Sequence, residues 1–364
     1  MSESDLAHQP LFSVISGAQV DHVLRGREKS VIELVEQAYL LHGAGRTVNP
    51  PSYFLRFPDR PTARIIALPA SLGGGEPVDG IKWISSFPDN VASGLPRASA
   101  VLILNDPATG YPLACLESSI ISAGRTAASA ALAASVLSAQ RPGGRATRIG
   151  YVGTGLIARY VHTYLLGAGW QFDRVGVHDL LPEHAEGFRG YLQRAVPGQI
   201  TTAYQSADEL ISDCDLVVFA TVASTPHVHD LSAFAHAPLV LHLSLRDLAP
   251  EVILGSANVV DDIEHCLKAD TSVHLTEQQV GNRDFIAGTL PEVLSGALRP
   301  PTDRPLVFSP FGLGVLDLAV ARFVYHGLLE SGDLTFVDGF FHDLSRYGEP
   351  ESAAVAADAS EPAA

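Results

Sequence analysis

Three charged side chains stand where their surroundings would not hold them idly. Lys82 lies inside Gly80-Ile81-Lys82-Trp83-Ile84, an otherwise apolar strand pattern, so its ammonium must be paired or functional. It could bind a carboxylate or exchange a proton at nitrogen. The alternative is an edge lysine with its stem on apolar surface and its head in water. Arg125 heads a run made almost wholly of Ala, Ser and Leu, beside Thr126. Its planar fork suits a carboxylate, unless it serves an ion pair with Glu117 or another acid. Asp247 follows the apolar run Pro238–Ser244, at the expected end of a sheet strand. There it could activate water or shuttle a proton, unless it is merely the ion-pair partner of Arg246. Weaker signals are read plainly. His227-Val-His-Asp230 is a polar loop without the spacing of a metal site, so no metal is expected. Glu117, before two serines, is a helix cap.

A glycine turn supplies the co-reactant. The apolar strand Ile149–Val152 ends in Gly153-Thr154-Gly155, and a helix pattern beginning Leu156-Ile157-Ala158 follows at once. The first glycine permits a tight turn and the second lets backbone approach a pyrophosphate. Ala158 lets helix and strand pack closely, and the helix N-terminus faces the phosphates. A second strand, Arg174–His178, ends in Asp179, about where a dinucleotide fold places the acid that binds a ribose 2′-hydroxyl. That acid would repel a 2′-phosphate, so NAD is expected rather than NADP. Later strand ends add Thr221 and Val222, Ser244 and Gly312 to the expected cofactor edge. A nicotinamide implies hydride transfer, with the small substrate held between this edge and a second domain.

The elements that must position these groups follow from periodicity. Apolar positions from Val20 to Leu41 predict helices. Residues 53–116 then give short β-type runs broken by Pro, Gly and Asp, with turn chemistry at Asn105–Gly110. A small-residue helix spans Ser119–Gln140 and is expected to run between two domains. From Arg148 strands and helices alternate, the pattern of a doubly wound parallel sheet. A helix over Leu316–Leu329 is expected to return to the first domain. The fold class is therefore α/β. It comprises a nucleotide-binding domain over 141–312 and an α+β domain built from both chain ends, 1–140 and 313–347. The tail 348–364, rich in Ala, Glu, Ser and Pro, is expected to be disordered.

Composition narrows the partners. A net charge of −16 argues against nucleic acid and against an anionic membrane surface. No apolar run is expected to reach the length that spans a bilayer. The three cysteines are scattered and the polar start Met-Ser-Glu-Ser-Asp is unlike a signal peptide, so a cytoplasmic location is expected.

Taken together, these motifs resemble the ornithine cyclodeaminase/μ-crystallin family over nearly the whole chain. The likeness rests on Gly80-Ile-Lys-Trp-Ile84 with Pro88-Asp-Asn90, Asn105-Asp-Pro-Ala-Thr-Gly-Tyr-Pro112, Ala123-Gly-Arg-Thr-Ala-Ala128, Gly153-Thr-Gly155 and Asp247. The resemblance implies a Rossmann domain that binds NAD and a second domain that dimerises through its strands. It implies that Arg56, Lys82 and Arg125 hold the substrate carboxylate and that Asp247 serves acid–base chemistry. One departure counts against ornithine. The family's cyclodeaminases carry a glutamate where this chain is apolar, near Ile66. A narrower likeness, in Ile81–Asn90, Ala70–Gly74 and Leu243–Leu248, is to the branch that makes L-2,3-diaminopropionate for siderophores and peptide antibiotics. Those enzymes oxidise N-(1-amino-1-carboxy-2-ethyl)-glutamate with NAD and hydrolyse the imine. Their usual partner is a pyridoxal-phosphate synthase that makes this substrate. Alternative activities within the family are ornithine cyclodeamination, cyclic ketimine reduction and non-catalytic nucleotide binding.

Overall fold

Period-two patterning in the first third of the chain builds one sheet with two unlike faces. The computed structural model describes residues 10–342. The sheet contains β1 (Ser13–Ile15), β2 (Thr47–Val48), β3 (Tyr53–Phe57), β4 (Arg60–Leu72), β5 (Val78–Ser86), β6 (Ala98–Asn105) and β7 (Pro112–Glu117). Their order is β1-β7-β6-β5-β4-β2, with β3 also paired to β4. Register puts Leu68, Lys82, Leu102 and Leu116 in one row and Arg56, Arg64 and Ser86 in another, all on one face. The opposite face carries the row Tyr53, Ala67, Trp83 and Val101. Tyr53, Leu55, Trp83 and Val101 are all exposed there.

Three helices, α1 (Gly17–Leu24), α2 (Glu28–Gly43) and α3 (Ser119–Ser138), accompany this sheet. Ser16 caps α1 through a capping box with Gln19, and Glu117 caps α3 by accepting the amides of Ser119 and Ile120. Alanines dominate α3, and Ala127, Ala128, Ala130, Ala131, Ala133 and Ala134 are fully buried. A helix apolar all round must be covered on every side. α3 packs on α2 and on the first helix of the second sheet. One expectation is corrected here. By length and composition α3 is apolar enough to cross a membrane, yet 67% of its apolar window is buried within the fold.

The second sheet has eight parallel strands: β8 (Arg148–Val152), β9 (Arg174–His178), β10 (Ile200–Ala203), β11 (Leu216–Phe219), β12 (Leu239–His242), β13 (Ala257–Val260), β14 (Ile286–Thr289) and β15 (Leu306–Ser309). The order is β10-β9-β8-β11-β12-β15-β13-β14, a doubly wound arrangement whose order reverses beside β8. The accompanying helices are α4 (Leu156–Gly167), α5 (Pro182–Ala195), α6 (Ala207–Asp213), α7 (Pro250–Leu254), α8 (Ile263–Cys266), α9 (Ser272–Val280) and α10 (Leu290–Leu294). The central strands are buried along their whole length, as continuous apolar runs require.

The last helix, α11 (Gly314–Ser331), leaves the second sheet and packs on β4, β5 and α2 of the first layer. The chain then runs beside β1, where Val14 N donates to Thr335 O at 3.0 Å and Val337 N to Phe12 O at 2.9 Å. The tail expected to be disordered lies outside the described residues.

Candidate active site

The dinucleotide edge begins where β8 ends. Gly153 has φ +83°, and a Cβ there would lie 2.8 Å from Ala220 O, so conformation and space both demand glycine. Gly155 is extended, and a Cβ there would meet nothing within 4 Å. It opens a cradle of backbone at the start of α4. Leu156 is exposed beside it and Ile157 half-buried. Asp179 is anchored to the turn. Its Oδ2 accepts the Thr154 amide at 2.9 Å and hydroxyl at 2.7 Å, and its Oδ1 accepts the Leu181 amide at 3.1 Å. Burial pushes this carboxyl up, but those hydrogen bonds outweigh it and hold it below its ordinary range. Val222 is exposed beyond β11, while Ser244 is half-buried after β12, its hydroxyl turned to Asp247. An open glycine cradle and an ionised acid at one sheet edge fit a dinucleotide.

Across from this edge stands a buried ionic triad. Lys82 Nζ donates to Asp317 Oδ2 at 2.6 Å and to Ser122 Oγ at 3.3 Å, and Arg125 Nε donates to Asp317 Oδ1 at 3.1 Å. Lys82 is therefore no snorkelling edge residue. Arg125 pairs with Asp317, not with Glu117, which is committed to capping α3. One carboxylate between two cations leaves net positive charge, and the Arg125 side chain retains 11% exposure. That charge can hold a substrate carboxylate. Burial pulls the Lys82 ammonium down to about 8; Asp317 holds it up and Arg125 pushes it down. Sequence reasoning passed over Asp317. Its signal was present, since an acid inside the apolar run Gly314–Ala321 raises the same question as Lys82 does in its strand.

Asp247 is fully buried, in the loop between β12 and α7. Its Oδ1 accepts from the Thr221 hydroxyl and lies 3.0 Å from His227 Nε2; Oδ2 lies 3.3 Å from His242 Nε2. An ionised carboxylate only accepts, so His227 carries a proton on Nε2; His242 Nε2 also receives the Asp247 amide at 3.3 Å. Burial raises the Asp247 carboxyl, but hydrogen bonds from His227 and His242 hold it far below the carboxylate range. So strongly acidic a group, with both oxygens engaged, reaches solvent through His227, whose side chain is 40% exposed. The pairing of Asp247 with Arg246 is not formed. Arg246 instead donates to Ser224 O and Ala269 O, at 3.4 and 2.8 Å. Residues 227–230 form the polar loop expected, in which His227 holds Asp247 at 3.0 Å whereas His229 turns away to Glu251 at 2.8 Å.

Gly312 follows the end of β15, at the strand end where it was expected, whereas Arg56 lies apart from Lys82. Gly312, expected on the cofactor edge, has φ +96°, and a Cβ there would lie 2.5 Å from an Arg125 nitrogen. It makes room for that guanidinium, and its amide donates to Asp261 at 2.7 Å. Arg56 shares the face of Lys82 but is paired with Arg64, near the far end of the strands. Four residues of strand, about 13 Å, separate its row from that of Lys82. Ile66, where an acid for a distal amine would stand, lies on this same face and is apolar.

Fold and site together define a dinucleotide-dependent oxidoreductase. The chain belongs to the ornithine cyclodeaminase/mu-crystallin family, whose family model matches residues 18–332. It is 30% identical over 302 residues to the N-((2S)-2-amino-2-carboxyethyl)-L-glutamate dehydrogenase of Staphylococcus aureus, covering 81% of this chain and 88% of that protein. It is 29% identical to an alanine dehydrogenase of Archaeoglobus fulgidus, covering 81% and 89%. Among solved structures it is similar to a Delta(1)-pyrroline-2-carboxylate reductase of Thermococcus litoralis in complex with NADH and L-proline. There the TM-score is 0.81 at 25% identity, covering 89% of this chain and all of that one.

Proposed function

We propose that this enzyme catalyses the NAD-dependent oxidative hydrolysis of N-(1-amino-1-carboxy-2-ethyl)-glutamate to 2-oxoglutarate and L-2,3-diaminopropionate. The observation that carries this reading is the buried Lys82–Asp317–Arg125 triad on one sheet face, facing the dinucleotide edge. The likeness to the staphylococcal dehydrogenase supports the same substrate. NAD, held by the Gly153–Gly155 turn and Asp179, would supply the acceptor for a hydride from the glutamate Cα. Lys82 and Arg125 hold the adjoining carboxylate, which fixes Cα against the strand ends of the second sheet. The substrate nitrogen gives its ammonium proton to solvent by way of His227, and its lone pair forms the Cα–N double bond as the hydride leaves. Water then adds to Cα, the C–N bond breaks, and the amine leaves with the proton. His227, backed by Asp247, exchanges protons with that water. Asp247 orients the ring by holding its Nε2, so the ring nitrogen turned away from the carboxylate does the transfer.

Residues 1–140 with 313–347 serve as the substrate and dimerisation domain, and 141–312 as the NAD domain. Asp179 selects NAD over NADP. The substrate is supplied by a pyridoxal-phosphate synthase in a siderophore or peptide route. The test is to incubate the protein with N-(1-amino-1-carboxy-2-ethyl)-glutamate and NAD and follow NADH. Appearance of NADH with stoichiometric 2-oxoglutarate supports the reading. NADH consumption with pyrroline or piperideine carboxylates, and no turnover of the tricarboxylate, makes it a cyclic ketimine reductase instead. Ammonia and proline from ornithine make it a cyclodeaminase.

A further inference from the structure

The sheet face that carries Lys82 ends in an unusual gathering of cations. Arg56 on β3 stands opposite Arg64 on β4, and Arg64 opposite Ser86 on β5. Residues directly opposite in an antiparallel pair point to the same side. Arg97, just before β6, donates from Nη1 to Ser86 Oγ at 2.7 Å, which brings a third guanidinium into the row. From the second sheet comes Arg246. Its guanidinium is braced on the carbonyls of Ser224 and Ala269, while its Nε is buried without a partner. Arg64 is lowered by burial first, and then by the charges of Arg97, Arg246 and Arg56. Every charge that bears on it is a cation. Among the described residues no carboxylate forms an ion pair with any of the four. Like charges converging from two layers, without an internal counter-ion, are held at a cost that an external anion relieves.

We propose that Arg64, Arg97 and Arg246 form a second anion site that takes an outlying carboxylate of the substrate and so selects polycarboxylates over cyclic monocarboxylates. This rests on the proposed function for the identity of the substrate, but the site itself can be tested without turnover. The row lies on the same face as Lys82 and about four strand residues from it, so one molecule with separated carboxylates can lie along the face between the two. The charge of Arg246, on the loop that also holds Asp247, bears on Arg64, so an anion at the row is drawn by both layers. A ligand with one carboxylate is fully served by Lys82 and Arg125 and gains nothing from this row. Guanidinium forks suit the task because each offers two parallel donors to a carboxylate.

The experiment compares two probes that share an oxo-acid end. One is 2-oxoglutarate and the other 2-oxobutyrate, which lacks the second carboxylate. Binding of each to the enzyme–NADH complex is measured by calorimetry for the wild type and for Arg64→Gln, Arg64→Lys, Arg97→Gln and Arg246→Gln. In the wild type 2-oxoglutarate is expected to bind roughly 10- to 100-fold more tightly, the worth of a charge-assisted bidentate contact. The Gln variants should lose most of that advantage and bind 2-oxobutyrate and NADH as before; Arg64→Lys should lose part. NADH affinity reports that each variant is folded. Equal affinity for the two probes in the wild type overturns the proposal. So does a Gln variant that keeps the preference, or one that weakens both probes alike, which marks the arginine as structural. If the preference is present but the tricarboxylate yields no NADH, the anion site stands and the assigned reaction falls.

Discussion

Lys82 is the residue whose chemistry is most exposed to measurement. It was legible in the sequence because a lysine inside an apolar strand has few explanations. Its partner was not, because nothing local ties residue 82 to residue 317. With its ammonium at about 8, Lys82 is charged at neutral pH and neutral above. The KM for a carboxylate substrate should therefore be flat below about pH 8 and rise roughly tenfold above it, as one charge-assisted bond is lost. The unfolded chain holds this proton up to 10.5, so between those values the unfolded state binds more protons. Stability from this group then grows with pH, and weaker binding there is not unfolding. Asp317→Asn removes the group that holds the lysine up. It should destabilise by about 3–5 kcal/mol, as breaking a buried pair does, and move the rise in KM to lower pH. An unmoved pH profile would leave Asp317 a packing residue. At the second centre, Asp247→Asn and His227→Gln should each lower kcat by about 100- to 10,000-fold with NAD binding intact. Because the two act as a unit, the double variant should be little worse than either single one. Additive losses would separate their roles.

Elements tell a different story from residues. The β8–turn–α4–β9 unit was readable end to end, because its glycines, its apolar strands and its acid each answer to a local rule. Helices α7 to α10 and strand β14 were not, since runs of four to nine residues are too short for periodicity to speak. Their caps are found only in the structure, as at Asp262, which heads α8. Asp179 offers an element-level test of the cofactor. Asp179→Ser with Leu180→Arg removes the acid and adds a cation at a side chain that is 91% exposed. The ratio of kcat/KM for NAD to that for NADP should then fall. A wild type that already uses both equally would show that Asp179 does not select. Asp262 tests how helices are joined. It lies 3.0 Å from His42 of α2 and 3.0 Å from His265 of its own helix, while His265 lies 2.9 Å from Asn49. Burial raises the Asp262 carboxyl, but the bonds from His265 and His42 hold it far below the ordinary range. A carboxyl so depressed contributes stability above its unfolded pKa of about 4 and loses it as pH falls. Asp262→Asn should lower Tm at neutral pH by about 1–2 °C for each kcal/mol lost, and the gap to the wild type should close in acid. A gap that stays constant with pH would remove the ionised carboxylate from the account.

At the scale of the whole molecule, the first sheet has one finished face and one unfinished. Helix α11 and the cleft cover the Lys82 side. The other side exposes Tyr53 at 74%, Leu55 at 47%, Trp83 at 43% and Val101 at 41%, on three strands joined through half-buried Ile65 and Ala67 of β4. Scattered exposed apolar residues mean little, but rows of them on one sheet mark a surface that is covered in solution. A second copy of the chain suits it best, since a two-fold axis through a sheet lets the same patch meet itself. The family resemblance implies the same mode. The prediction is a dimer by sedimentation whose interface includes Trp83. In an isologous contact each substitution is made twice, once from each subunit. Trp83→Asp therefore places two carboxylates in an apolar interface and should give monomers at micromolar concentration, whereas Trp83→Phe should not. Trp83 faces away from Lys82, its neighbour in the strand, so NADH affinity in the monomer should be retained. A Trp83→Asp protein that still sediments as a dimer would place the interface elsewhere and leave this apolar face without its partner.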